Sequence, residues 1–298
     1  MKKRFSHKSL LFLNKQAWLL LFCVITASLS CVKKSIPTTT PPLQQEGSTS
    51  TATLNLKKGL GMTLKTTDWL NKVKAVNVSW HYSWGSVFAS GEPASVEYVP
   101  MIWGQWFADS TLTSLQSLAK QGEIKNLLGF NEPDNLQQAN MTVQQAIALW
   151  PKLMSLNIPL GSPAAVNALG PWMQNFMHIA DSLHYRIDFI PVHLYVGTSA
   201  DNFMSTLKQI HDLYGRPIWI TEFAVADWNA KSLSQNQYST SAVLQFMKTV
   251  LPRLDTVSYV QRYAWFSAST SDAHLGTSGL FNNDGSLTTL GSYYANHN

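Results

Sequence analysis

The chain has 298 residues, 45% of them hydrophobic, 11% aromatic and only 13% charged. That charged fraction is about half the roughly 25% of an average soluble domain; an aromatic-rich, weakly charged chain suits a neutral, ring-shaped ligand such as a sugar and argues against nucleic acid. The net charge of +5 does not argue otherwise, because Lys2, Lys3, Arg4, Lys8 and Lys15 all precede an apolar run, and the rest of the chain carries 17 basic and 17 acidic residues.

The first thirty residues contain no acid, and the basic stretch followed by the apolar run Ala17 to Leu29 reads as an export signal. The run is short for a membrane span, which takes about 20 apolar residues. Leu29-Ser30-Cys31 resembles the lipobox of bacterial lipoproteins, with Ser28 where a Leu is usual. The expectation is a signal segment over 1–31 with Cys31 acylated, holding the protein to the cell envelope through a lipid anchor; ordinary secretion is the alternative. Cys23 and Cys31 are the only cysteines, so the globular part has neither a disulfide nor a Cys metal site. Residues 32–55, rich in Pro and Thr, read as a flexible tether, and residues 56–298 as one catalytic domain.

From Leu56 onwards short apolar runs alternate with amphipathic stretches. Eight strands are predicted: Lys58 to Met62, Ala75 to Trp80, Tyr98 to Trp103, Leu127 to Asn131, Leu160 to Pro163, Phe189 to Leu194, Ile218 to Glu222 and Gln261 to Phe266. Helices are predicted between them over Leu112 to Lys120, Val143 to Ser155, Trp172 to His184, Phe203 to Tyr214 and Tyr238 to Leu251, with Thr142 as an N-cap and Gly215-Arg216-Pro217 as a stop. Asp284-Gly285 signals a turn, followed by a last helix over Leu290 to Asn296. Alternation of this kind implies an α/β fold with a parallel sheet, and eight repeats suggest a single (β/α)8 TIM barrel. An open doubly wound sheet is disfavoured, since Gly59-Leu60-Gly61-Met62-Thr63-Leu64 lacks the third glycine of a nucleotide loop.

In such a barrel the site gathers at the carboxyl ends of the strands. Of the six glutamates (46, 92, 97, 123, 132 and 222), only Glu132 and Glu222 end apolar strands. Two converging carboxylates are what glycosidic cleavage needs, one to protonate the leaving oxygen and one to attack the sugar or activate water. Asn131 is placed to bond a sugar hydroxyl. His193 and Tyr195 alternate along one strand end and so face the same way, with Tyr195 expected beside Glu222. Trp80, Tyr82, Trp84, Trp103 and Trp265 are candidate sugar platforms, since flat aromatic faces stack on the apolar faces of pyranose rings; Trp69, Trp150 and Trp172 fall on helices and are read as packing. There is no His-Glu-x-x-His, Gly-x-Ser-x-Gly or Walker loop, and no metal or organic cofactor is expected.

Leu128-Gly129-Phe130-Asn131-Glu132-Pro133-Asp134, Leu160-Gly161-Ser162-Pro163-Ala164, Phe189-Ile190-Pro191-Val192-His193-Leu194-Tyr195, Trp219-Ile220-Thr221-Glu222-Phe223 and Tyr263-Ala264-Trp265-Phe266 together resemble glycoside hydrolase family 128. The resemblance covers roughly Lys57 to Tyr294. It implies a clan-A barrel acting on β-1,3-glucan by retention, with Glu132 as general acid/base and Glu222 as nucleophile. Carboxyl oxygens about 5 to 5.5 Å apart are then expected, with Glu132 protonated and Glu222 ionised at rest. Trp80-His81-Tyr82-Ser83-Trp84 departs from the family's more usual Trp-Tyr-Tyr-Asn-Trp at His81 and Ser83. Two alternatives stay open, another clan-A β-glycanase such as a mannanase or mixed-linkage glucanase, and a non-catalytic glycan-binding lipoprotein. A polysaccharide is the expected partner of a monomer exported to the bacterial envelope.

Overall fold

A computed structural model describes residues 54–298; the leader, Cys31 and the tether up to residue 53 lie outside the described residues. The described part is an α/β fold with a six-stranded parallel sheet and seven helices. In chain order the elements are β1 (Lys58–Gly61), α1 (Trp69–Ala75), β2 (Trp80–Tyr82), β3 (Glu97–Tyr98), α2 (Asp109–Gln121), α3 (Val143–Met154), α4 (Pro171–Ser182), β4 (Ile190–Val196), α5 (Ala200–Tyr214), β5 (Ile218–Val225), α6 (Thr240–Thr256), β6 (Val260–Phe266) and α7 (Thr289–Asn296). The sheet order is β3-β2-β1-β6-β5-β4, and every neighbouring pair is parallel.

Two of the eight expected strands, 127–131 and 160–163, are not continuous strands. They make isolated parallel bridges, Met101 with Leu128, Leu127 with Leu160, Asn131 with Ala164 and Gly161 with Phe189. Pro100, Pro159 and Pro163 account for the gaps, because each removes an N–H that a continuous ladder would use. Gly129 sits where the two segments press together, since a Cβ there would lie 2.8 Å from the carbonyl oxygens of Gly161 and Ser162. The strand expected over Ala75 to Trp80 is also displaced. Ala75 closes α1, Asn77 turns with φ +50°, and the ladder starts at Trp80.

The helices form where one face is apolar. In α5 the buried residues Ala200, Phe203, Met204, Leu207 and Ile210 recur at helical spacing and lie on one stripe. Thr142 caps α3 in a reciprocal box with Gln145, and Gly215 ends α5 in the left-handed conformation, φ +61°. Asp284-Gly285 makes its turn, closed by an antiparallel bridge between Phe281 and Leu287. The main core lies between helices and sheet. A smaller one is drawn only from strand segments and the stretches bridged to them, including Trp80, Tyr82, Leu128, Phe189 and Trp219, on the other side of the pleat. That second core is the floor beneath the strand ends, so it fixes how far the carboxyl-end side chains project. At the amino end, Asn55 donates to Asp255 at 2.8 Å and to Tyr263 at 3.1 Å, so contacts with the domain begin inside the stretch read as tether.

Candidate active site

Glu132 follows directly on the 127–131 segment and is held by its backbone. Its N–H donates to Ala164 O at 2.8 Å, and Asn135 N–H returns to Glu132 O at 3.0 Å. The residue has φ +42°, a left-handed conformation that L side chains other than Asn, Asp and His seldom adopt. Three of the other non-glycine residues with positive φ are asparagines and one is a histidine; the remaining one is Trp84, φ +56°. Both atypical residues belong to the site, where surrounding structure has to impose such a backbone. Part of that imposition comes from Asp134, whose carboxylate accepts Val166 N–H at 2.8 Å and Asn167 N–H at 3.2 Å and ties the turn after Glu132 to the next loop.

Glu222 is buried within β5, 6% exposed. Trp84 Nε1–H donates to its Oε1 at 2.7 Å, the Tyr82 hydroxyl reaches Oε1 at 3.2 Å, and the Tyr195 hydroxyl makes a short bond to Oε2. An ionised carboxylate only accepts, so three converging donors are complementary to that form. Burial, then the charge of Glu222, pushes both phenols well above the ordinary 10.0, which keeps them protonated as donors.

His193 stands between the two acids. Its Nδ1 is 2.8 Å from Glu132 Oε1, and its Nε2 lies 3.4 Å from Glu222 Oε1. The second contact is within ion-pair distance but poorly aligned, leaving Nε2 without a hydrogen-bond partner among the described residues. One atom from each of Glu132, His193 and Glu222 falls within 4.8 Å of the others, so the carboxylates approach to at most that distance. The same three side chains could ring a cation, but both imidazole nitrogens already face carboxylates, which fits proton sharing better than metal ligation.

Proton positions at rest differ from the expectation of a protonated Glu132. Burial pushes its carboxyl up, but the hydrogen bond and charge of His193, with Asn135 Nδ2 at 3.3 Å, outweigh it and hold it below the ordinary 4.5. For His193 burial pushes down, and the charges of Glu222 and Glu132 outweigh it, so the imidazole sits above 6.5. Both directions favour a Glu132 carboxylate beside a charged His193. The lowered Glu132 value adds stability present above 4.5 and lost as pH falls through the folded value; the raised His193 value adds stability present below 6.5 and lost as pH rises through its own. We expect His193→Gln to lower the melting temperature most between pH 4.5 and 6.5. In the same variant the carboxyl carbon of Glu132, followed by carbon NMR, should titrate at higher pH, because the bond and charge of His193 are gone and only the Asn135 contact still opposes burial; an unchanged midpoint would remove His193 as its partner.

The two acids open onto a cleft of about 520 Å³. Asn131, Tyr195, Trp84 and Trp103 line it, Trp103 being 37% exposed, and His193 lies buried behind it. Among the described residues the Oδ1 of Asn131 is buried without a partner, as an acceptor awaiting a ligand hydroxyl would be. Three expected platforms are corrected. Trp80 is fully buried in the floor against Trp219 and Tyr82, and Tyr82 is fully buried as a donor to Glu222. Trp265 is fully buried among Phe223 and Phe246, with Nε1–H on Ser278 O at 2.8 Å. The cleft aromatic of β6 is its neighbour Phe266, since a one-residue change in strand parity exchanges faces. Arg262 in the same strand carried that signal: its guanidinium lies over Trp219 in the floor, and Arg262, Ala264 and Phe266 share a face. Asn135, Gln138 and Trp228 also line the cleft and were not singled out from sequence; Trp228, six residues past Glu222 in a loop, was the readable one. A larger recess of about 680 Å³ lies elsewhere, but its Glu97 is already taken by Arg262 and Asn126, both at 2.6 Å.

A family model described as glycosyl hydrolase catalytic core matches residues 59–294. The chain belongs to that family. Within it, the resemblance to glycoside hydrolase family 128 holds over the whole domain. A subgroup I endo-β-1,3-glucanase of that family from Amycolatopsis mediterranei, solved in complex with laminaritriose, is 33% identical with a TM-score of 0.70, over 80% of this chain and 98% of that one. A subgroup III curdlan-specific exo-β-1,3-glucanase from Blastomyces gilchristii, in complex with glucose, is 31% identical with a TM-score of 0.64, over 80% and 97%. Alkali-sensitive linkage protein 1 of Schizosaccharomyces pombe (strain 972 / ATCC 24843) is 35% identical over 227 residues, 73% of this chain; the chain spans only 40% of that relative's length. The glycosyl hydrolase assignment accounts for why two of the six glutamates are brought together at strand ends.

Proposed function

We propose that this glycosyl hydrolase cleaves β-1,3-glucan with retention of configuration, Glu222 acting as nucleophile and Glu132 as acid/base. The observation that carries the reading is the approach of the two carboxylates to within 4.8 Å. Retaining enzymes hold them about 5–5.5 Å apart, inverting ones roughly 6.5–9.5 Å to admit a water. Glu222 is buried, acceptor-only and aimed by Trp84, Tyr82 and Tyr195, as a carboxylate attacking C1 has to be. A sugar laid over Glu132 strips its remaining water and raises its proton affinity, drawing the proton across the 2.8 Å contact from His193. Glu132 then protonates the departing glycosidic oxygen while Glu222 forms an ester with C1. In the second half-reaction Glu132 takes a proton from water, the water oxygen bonds C1, and Glu222 departs as a carboxylate. Asn131 is suited to bond the 2-hydroxyl of the sugar at C1.

The glucan linkage is supported by the two β-1,3-glucanases, which match this chain over 98% and 97% of their own length. Proton NMR of the first products from laminarin tests the mechanism: the β-anomer is expected first, and an α-anomer would refute retention. Comparing laminarin and curdlan with mannan, xylan and cellulose tests the linkage, and preference for mannan would move the reading to the mannanase alternative.

The four isolated parallel bridges support closure of the six strands into an eight-strand barrel through 127–131 and 160–164. Export on an acylated Cys31 accords with a polymer too large to enter a cell, and two-chain acylation would anchor it stably. Partition of the wild type into detergent, lost in Cys31→Ser, is the outcome required.

A further inference from the structure

Between β2 and β3 the chain forms no helix, and residues 83–96 pass from one strand to the next as a loop that carries Trp84. In β2, Trp80 and Tyr82 face the floor, so His81 between them points to the other side of the sheet. There it is fully buried and stacked on Trp69 of α1, 5.7 Å between centroids. A carbonyl oxygen only accepts, so the 2.7 Å contact of Nε2 with Met62 O places a proton on Nε2 and leaves Nδ1 to Glu92. The Glu92 carboxyl group meets Nδ1 in a short bond, its side chain only 5% exposed. Its other oxygen is buried with no partner among the described residues. A buried carboxyl group left half-satisfied stays inside only when something holds it there, so His81 is the point at which the loop is fastened.

Tyr98 in β3 carries that fastening to Trp84. Its ring stands edge-on to His81 at 5.6 Å and to Phe88 of the loop at 5.9 Å. Its hydroxyl lies 2.6 Å from Ser83 Oγ and donates to Gly85 O at 3.3 Å, and Met101 N–H donates to the same carbonyl at 2.9 Å. With the one phenolic proton on Gly85 O, Ser83 Oγ–H donates to the phenol oxygen. Both neighbours of Trp84 are thus pinned, which is what a tryptophan at φ +56° requires. The indole is thereby aimed, with Nε1–H on Glu222 Oε1 at 2.7 Å. His81 and Glu92 themselves do not line the cleft.

We propose that His81 and Glu92 are positioning residues for the nucleophile: their buried pair, on the side of the sheet away from the cleft, holds Tyr98 and the 83–96 loop so that Trp84 keeps Glu222 aimed at C1. The inference rests on the reading of Glu222 as nucleophile and deepens it. Without Glu92 the loop loses its anchor, Tyr98 loses its backing, and Trp84 relaxes out of the left-handed backbone with its N–H off the carboxylate.

The test reads the covalent step alone, in the whole protein, with 2-deoxy-2-fluoro-β-laminaribiosyl fluoride: a Glu222 oxygen bonds C1, the C1–F bond breaks and fluoride leaves with the electron pair. The 2-fluorine slows breakdown of the ester, so labelled protein accumulates and mass spectrometry gives both the residue and the rate. Wild type should label at Glu222. Glu92→Ala should lower the rate about tenfold, and Glu92→Gln should restore most of it, because an amide N–H can donate to Nδ1 while Nε2–H stays on Met62 O. The deciding comparison is made in a Trp84→Phe background, which lacks the indole N–H. There Glu92→Ala should change the rate by less than about twofold, since residues acting through one another do not add. Tyr98→Phe, which keeps the ring, should follow the same pattern and replaces Glu92→Ala if that variant does not fold. An unchanged rate in Glu92→Ala, or in its replacement, or a loss of equal size with and without Trp84→Phe, overturns the positioning role and leaves the nucleophile reading intact. No label on wild type, or a label on another residue, overturns both.

Discussion

Replacing Glu222 by alanine should lower glucan turnover by on the order of 10⁴-fold or more, because no other group can form the ester with C1. Its position is set by three donors from two strands' worth of neighbours, Trp84 and Tyr82 at one oxygen and Tyr195 at the other, and none of those side chains is itself nucleophilic as a protonated group. The alanine leaves a small space beside C1, which azide can enter. Attack then comes from the face opposite the leaving group and stops there, so the rescued product should be the α-glycosyl azide. A β-azide, or full activity without azide, would transfer the nucleophile's role elsewhere.

Glu132→Ala should show the complementary pattern. Loss of a positioned acid/base costs about 10²–10⁴-fold on a glucan, whose alkoxide leaves poorly without a proton. An aryl β-glucoside with an acidic phenol needs little protonation, so its first step should be nearly spared and a burst of phenol should precede a slow phase limited by water attack on the ester. Azide needs no base to attack that ester, and since Glu222 is intact the product should be the β-glycosyl azide. Equal loss on both substrates with no burst would mean that Glu132 is not the acid. The azide products of the two variants are opposite anomers, which makes confusion of the two roles difficult.

What could be read from the sequence divides along physical lines. The positions of the two acids and of the His193 and Tyr195 pair were legible because each lies in or just past an apolar strand segment toward its carboxyl end, and strand parity needs no tertiary information when a single strand is considered alone. Parity failed at β6, where Trp265 and Phe266 are both large and apolar and either could have faced the cleft; only Arg262, whose long charged side chain must lie over the floor aromatics, tells them apart. Segments 127–131 and 160–163 have the composition of strands, but prolines delete the ladder bonds that define one. The left-handed backbone of Glu132 left no trace at all, since nothing in Asn-Glu-Pro-Asp distinguishes it from an ordinary turn. Resting proton placement was likewise hidden, because it depends on a 2.8 Å contact across 61 residues of chain.

The carboxylate of Asp134 reaches out of its own turn to the amides of Val166 and Asn167. For anyone grafting parts between relatives, this makes the stretch after Glu132 and the one after Ala164 a single transplantable piece. A chimaera that swaps only the first deprives two amides of their acceptor; one that swaps only the second leaves a carboxylate facing a foreign surface, and in either case the brace on the strained Glu132 slackens. Shuffling here should respect a crossover before Asn131 and another after Gly170, with both stretches inherited from the same parent.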